Sequence, residues 1–179
     1  MRFKEINYNN QSISIYDDLL DYHDRKLYFS SFLGGSFKFG GSDEYFYGIG
    51  NQFYSQYSLN ESQVLNFLNN KNLKQLIDTH RLTDYSITYL RINATMPGET
   101  CRIHSDSTGV TLIYYVNLDW NLEHGGHLAI IDQNLLEINS VVTYVPGRII
   151  VLPGTIPHQI LTVSPLASRP RFSLAIQFG

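Results

Sequence analysis

The chain has 179 residues, and at about 100 to 200 residues per domain that predicts one domain over 1–179. A single cysteine excludes an internal disulfide framework and a thiolate zinc site. With 13 Lys+Arg against 16 Asp+Glu and a net charge of −3, no basic excess favours nucleic acid.

No apolar run reaches the roughly 18 residues that a membrane span needs. The opening MRFKEINYNN lacks the apolar segment of a signal peptide, so a cytoplasmic location is expected. The chain is weakly charged, rich in Tyr and Phe, and has six histidines. Whether those histidines matter depends on their placement.

Two textures follow one another. Residues 1–82 mix strand and helix signals and read as support for the rest. SISIYDDLL (12–20) predicts a short strand and then a helix start near Asp21. DYHDRKLYFSSFL (21–33) predicts a helix stopped by Gly34 and Gly35. Residues 34–57 hold six glycines among many aromatics, so a loop or loose hairpin lying over the protein is expected. Its part from Phe37 to Tyr57 is the expected aromatic lid, unless the rings only cover an outer face. SLNESQVLNFLNNKNLKQLIDTHR (58–81) predicts one helix, capped by Ser58 or Asn60. Its apolar face would be Val64, Leu65, Phe67, Leu68, Leu73, Leu76 and Ile77.

From residue 85 the period becomes two. Strands are expected at 85–94, 99–104, 110–117, 127–132, 139–145, 148–152, 158–163 and 171–178. Turn signals separate them, among them Pro97-Gly98, Gly125-Gly126, Pro146-Gly147 and Pro153-Gly154. Eight short strands at this spacing suggest a sandwich or barrel, and the double-sheet jelly roll is the eight-strand solution. The fold expected is therefore mainly β, with the N-terminal helices packed on one sheet.

His104-Ser105-Asp106 falls where a strand gives way to a turn. Residues two apart on a strand share a face, so His104 and Asp106 would point the same way. His158 opens a later strand. Two imidazoles and one carboxylate on one face of a metal leave open positions, which is the arrangement of non-haem Fe(II) oxygenases. His-x-Asp alone is a weak signal, and a surface turn would explain it equally well.

The surroundings carry more. PGETCRIHSD (97–106), TLIYYVNLDW (111–120), GGHLAI (125–130), PGRIIVLPGTIPHQI (146–160) and RFSL (171–174) occur in one order. In that order the sequence resembles the prolyl 4-hydroxylase-like branch of the 2-oxoglutarate/Fe(II) dioxygenases, over about residues 85–179. The resemblance implies Fe(II) on His104, Asp106 and His158, with 2-oxoglutarate and O₂ as cosubstrates. It implies that Arg171 and Tyr115 receive the distal carboxylate of 2-oxoglutarate, and Ile113 would line that pocket. A planar guanidinium suits a carboxylate because it donates two parallel hydrogen bonds. Arg169 is a rival, but it precedes Pro170 and is expected in a loop.

The implied reaction is hydroxylation of an unactivated C–H bond, with release of succinate and CO₂. The carboxylate of Asp106 favours hydroxylation over halogenation, since halogenating relatives have a small residue there. The implied substrate is prolyl, peptidyl or amino-acid-like, either a small molecule or a peptide. No nucleic acid or membrane partner is expected, and oligomeric state is open. Arg102 would share the face of His104 if its strand is regular and could then meet a substrate carboxylate. His127 and Gln177 are further candidate substrate contacts. Cys101 stands where the family often has tyrosine, and it reads as a small packing residue. His23, His80 and His124 read as surface residues. The alternative from another class is a non-catalytic, cupin-like metal- or ligand-binding jelly roll, which would need no Arg171.

Overall fold

A computed structural model describes residues 1–34, 37–39, 53–56, 62–106, 109–132 and 134–179. It opens with a hairpin that the strand signals missed. Strands β1 (Arg2–Tyr8) and β2 (Gln11–Asp17) pair antiparallel and turn at Asn9-Asn10. Both asparagines have positive φ, 46° and 62°, the backbone that a two-residue hairpin demands and that Asn tolerates.

Helix α1 (Tyr22–Leu33) starts where expected. The Asp21 carboxylate accepts the Asp24 amide at 2.8 Å, and the Gly34 amide closes the last turn on Ser30 O. The single helix expected over 58–81 is instead two, α2 (Ser62–Leu68) and α3 (Lys71–Thr79). Asn70 divides them. Its side-chain oxygen caps α3 by accepting the Asn72 amide at 3.0 Å. Its NH₂ donates to Asp24 and to the Tyr28 hydroxyl, tying α3 to α1. A short polar side chain competes with helix continuation in this way. The expected caps Ser58 and Asn60 lie outside the described residues.

The remaining strands are β3 (Lys38–Phe39), β4 (Phe53–Gln56), β5 (Ile87–Thr95), β6 (Val110–Tyr115), β7 (Leu128–Asp132), β8 (Glu137–Val142), β9 (Ile149–Pro153), β10 (His158–Ile160) and β11 (Arg171–Phe178). One sheet has the order β1-β2-β9-β6-β11-β5-β4-β3, and the other has β10-β7-β8. All these pairings are antiparallel.

Alternation on β6 sorts its residues into two cores. Leu112 and Tyr114 join Phe32, Phe67 and Leu73 between the large sheet and the helices. Ile113 and Tyr115 join Leu128, Ile130, Ile150 and Tyr144 between the two sheets. This is a jelly roll with helices on one outer face, as expected.

One expectation needs correction. Residues 99–104 form no strand, and only His104 makes a bridge, to His158. The segment still pairs irregularly: the Cys101 amide donates to Ile160 O, and Glu99 O accepts the Val163 amide. In the expected lid region, β3 and β4 pair antiparallel with each other, and β4 pairs with β5 at the edge of the large sheet. Residues 40–52 and 57 lie outside the described residues.

Arg148 fastens the hairpin to the body with two parallel bonds to the Asp17 carboxylate, at 2.7 and 2.8 Å. These bonds hold the Asp17 pKa below its ordinary 3.8, against the opposing effect of burial. The folded pKa is depressed, so the stability contributed is complete above about pH 4 to 5 and is lost as pH falls through the folded value. Asp17→Asn should lower stability by about 1–3 kcal/mol at pH 7 and much less at pH 3, as read by urea denaturation at the two pH values.

Candidate metal centre

His104 and His158 face each other across two reciprocal backbone hydrogen bonds. His104 N donates to His158 O at 3.0 Å, and His158 N donates to His104 O at 2.9 Å. Directly paired residues project to the same side, and the two imidazole rings stand 4.5 Å apart. Asp106 is fixed by its own amide, which donates to Gly154 O at 2.8 Å. Its Oδ1 lies 3.7 Å from His104 Nε2, and its Oδ2 lies 3.9 Å from His158 Nε2. Ligand atoms of the three side chains all lie within 4.8 Å of one another.

The ring orientations suit a metal. His104 Nδ1 faces Arg102 O at 2.8 Å, and His158 Nδ1 faces Ile156 O at 2.9 Å. A carbonyl accepts only, so each Nδ1 carries the hydrogen, and each Nε2 is turned toward Asp106. Thr111 Oγ1 donates to Asp106 Oδ2 at 2.6 Å, the kind of outer contact that orients a ligating carboxylate.

Charge favours a cation here. Burial disfavours a charged His104, but it is outweighed by the Cys101 sulfur, the Arg102 carbonyl and Asp106, and the pKa is pushed up to about 9. His158 goes the other way, lowered by burial and then by His104. His104 is the outer member with its side chain 39% exposed, while His158 is buried. A dication would satisfy Asp106 and both rings without a proton.

The second half of the site lies on the facing sheet. Arg171 opposes Thr95, Ser173 opposes Tyr115 and Asn93, and Gln177 opposes Thr111 and Tyr89. These residues share the face that looks toward the small sheet. Arg171 is 1% exposed. Its Nε donates to Gly126 O at 2.7 Å and its Nη1 to Ser173 Oγ at 3.0 Å, with no carboxylate beside it among the described residues. Tyr115 is fully buried, and its hydroxyl has no hydrogen-bond partner among the described residues. Burial raises the Tyr115 pKa, so the hydroxyl is a neutral donor. A buried guanidinium and a neutral buried hydroxyl on the same face are donors that suit a carboxylate. Arg169 is exposed and pairs with Asp119 at 2.7 Å, so of the two only Arg171 is buried between the sheets.

Other candidate residues fall elsewhere. Ile113 is buried in the core between the two sheets. Gln177 is half-buried, on the face of β11 that also carries Arg171 and Ser173. Arg102 is exposed, because the regular strand that would have turned it inward does not form. His127 is half-buried, and its Nδ1 accepts the Tyr144 amide at 3.1 Å, so that atom is committed to the fold. His80 is half-buried, and its Nε2 lies 2.6 Å from the Tyr16 hydroxyl. His124 packs edge-on against Trp120, and His23 is exposed. Cys101 touches the site, with its sulfur 3.7 Å from His104 Nδ1. Sequence reasoning missed Thr111 and Tyr144. Alternation with Ile113 and Tyr115 could have placed Thr111 on the inner face.

No family model matches the chain, and no curated protein matches it. Solved structures do. A prolyl hydroxylase from Trichoplax adhaerens, solved with a hypoxia inducible factor peptide fragment, matches at TM-score 0.68 and 18% identity, over 93% of this chain and 82% of that one. A prolyl-4-hydroxylase from Pseudomonas putida gives TM-score 0.68 and 18% identity, over 93% and 91%. A viral collagen prolyl hydroxylase from Paramecium Bursaria Chlorella virus-1, solved with 2OG, gives 0.64 and 14%, over 93% and 94%. The chain therefore has the fold seen in solved prolyl hydroxylases and 2OG-Fe(II) oxygenases.

Thr111→Val keeps the side-chain shape and removes the bond that aims Asp106. It should weaken Fe(II) binding by about tenfold or more, measured by anaerobic titration, with little change in thermal midpoint.

Proposed function

We propose that this chain is an Fe(II)- and 2-oxoglutarate-dependent oxygenase that hydroxylates an unactivated C–H bond of a prolyl, peptidyl or amino-acid-like substrate. The observation that carries this reading is a pair of half-sites, one at the small sheet and one on the inner face of the large sheet. Three metal-ligating side chains converge on the small-sheet side. A buried guanidinium and an unsatisfied buried hydroxyl wait on the large-sheet side. A cupin-like metal-binding module would need the first half and has no use for the second, so the buried Arg171 favours the oxygenase.

In this reading His104, Asp106 and His158 hold the iron. Arg171 and Tyr115 hold the distal carboxylate of 2-oxoglutarate, and Ile113 lines the space between. Bound together, iron and 2-oxoglutarate supply the activation of O₂ and release succinate and CO₂. The residues of this chain do the rest. Thr111 keeps Asp106 aimed, and Arg171 fixes which end of the cosubstrate faces the metal. Ile113, Leu128, Ile130 and Ile156 pack as an apolar core between the two sheets, which keeps water from that side of the site. Gln177 and Tyr89 stand in the same row as Thr111 and offer polar contacts to a substrate. Arg102, exposed near His104, could meet the substrate only at the rim. The peptide-bound and collagen-type hydroxylases of the same fold support a prolyl or peptidyl substrate by likeness of fold alone.

Mixing the metal-free protein with Fe(II) and 2-oxoglutarate without oxygen should produce a weak visible charge-transfer band. Iron binding without that band would sink the oxygenase reading. Arg171→Ala should raise the dissociation constant for 2-oxoglutarate by about a hundredfold in the same titration while leaving Fe(II) affinity within about threefold. Unchanged 2-oxoglutarate affinity would move the carboxylate site elsewhere.

A further inference from the structure

The structure assigns Tyr144 as a positioning residue for the cosubstrate pocket, a role that rests on the oxygenase reading above. Tyr144 lies just past β8 and is buried. Its ring stacks on that of Tyr115, with centres 4.2 Å apart and planes 17° from parallel. The Arg171 guanidinium carbon is 5.0 Å from the Tyr115 ring centre and 4.9 Å from that of Tyr144. Those three distances form a nearly isosceles triangle, so the cation sits beside the stacked pair and touches both rings rather than lying between them. Tyr144 thus limits the tilt of Tyr115 and the sideways travel of Arg171 at once.

Its hydroxyl has a separate task. Tyr144 Oη lies 2.6 Å from both Asn117 Oδ1 and Phe172 O, sharing its one proton between them, and accepts the Asn117 amide at 3.2 Å. Asn117 Oδ1 accepts the Phe172 amide at 2.7 Å, and Asn117 Nδ2 donates to Pro170 O at 3.0 Å. The two side chains therefore clasp the backbone on both sides of Arg171. The ring positions the side chains that meet the carboxylate, and the hydroxyl fastens the backbone beside Arg171 and contributes to stability. Neither part touches the cosubstrate itself in this assignment.

The division of labour gives a test that a purely structural role would fail. Three proteins are compared: the full chain, Tyr144→Phe and Tyr144→Leu. Each is loaded with Fe(II) without oxygen and titrated with 2-oxoglutarate, followed by the visible band, and with pyruvate, which chelates alike but lacks the distal carboxylate. Tyr144→Phe keeps the stack, so its 2-oxoglutarate affinity should stay within about threefold, while its thermal midpoint falls because buried partners lose their bonds. Tyr144→Leu loses the stack, so its 2-oxoglutarate affinity should fall about tenfold, with pyruvate and Fe(II) affinities unchanged. If Tyr144→Leu does not fold, Tyr144→Met carries the same comparison, since its unbranched chain fills irregular gaps. The assignment is overturned if the ringless variant binds 2-oxoglutarate as the unmodified chain does. Equal weakening toward pyruvate, or an equal loss in Tyr144→Phe, also overturns it. Absence of a band in the unmodified chain would instead sink the oxygenase reading, which separates the two failures.

Discussion

Two backbone hydrogen bonds between His104 and His158 hold the centre of this molecule together. They join a segment without regular strand structure to the first residue of β10. A reciprocal antiparallel pair of this kind sets both side chains on one side at short range, and that is what brings two imidazoles within reach of one ion. Asp106 needs only to be two residues on and to reach Gly154 O with its amide. The ligand set is therefore a backbone construction first. The side chains inherit their geometry from it.

The region between the two sheets has two electrostatic ends. Near His104 and His158, the Cys101 sulfur and Asp106 favour positive charge. At the other end, Arg171 supplies the positive charge and Tyr115 a neutral donor. A molecule that chelates a metal with one end and presents a carboxylate at the other suits both. Burying a guanidinium without a charged neighbour is costly, and part of that cost is offset by Gly126 O, Ser173 Oγ and two aromatic rings.

Much of this was legible in the order of residues because it rests on motif and alternation. The resemblance implied that Tyr115 and Arg171 face inward, the period of two added Ile113 to the face of Tyr115, and Pro170 set Arg169 apart in a loop. What escaped depends on contacts between distant segments. The hairpin at Asn9-Asn10 is a conformational choice that two asparagines permit without announcing. Asn70 cut one helix into two because its side chain found Asp24 and Tyr28, partners more than forty positions away. Residues 99–104 alternate like a strand, yet they pair irregularly with 158–163, which left Arg102 outside. Tyr144 precedes a Pro-Gly turn, and no periodicity ties it to Asn117 or Arg171.

Gly126 carries a consequence for how such a site can vary. Its φ is +68°, and a Cβ there would stand 2.8 Å from Arg171 Cδ. The first methyl group added at 126 would have to displace the arginine stem, and with it the guanidinium that rests on Gly126 O. The turn and the arginine are thus one mutational unit, forty-five positions apart in the chain. Changes at the two positions should not add, and substitution at 126 should cost carboxylate affinity well before it costs the fold. On the proposed reading, libraries that diversify the Gly125-Gly126 turn for stability or solubility would deplete cosubstrate binding without touching any residue proposed to contact the cosubstrate.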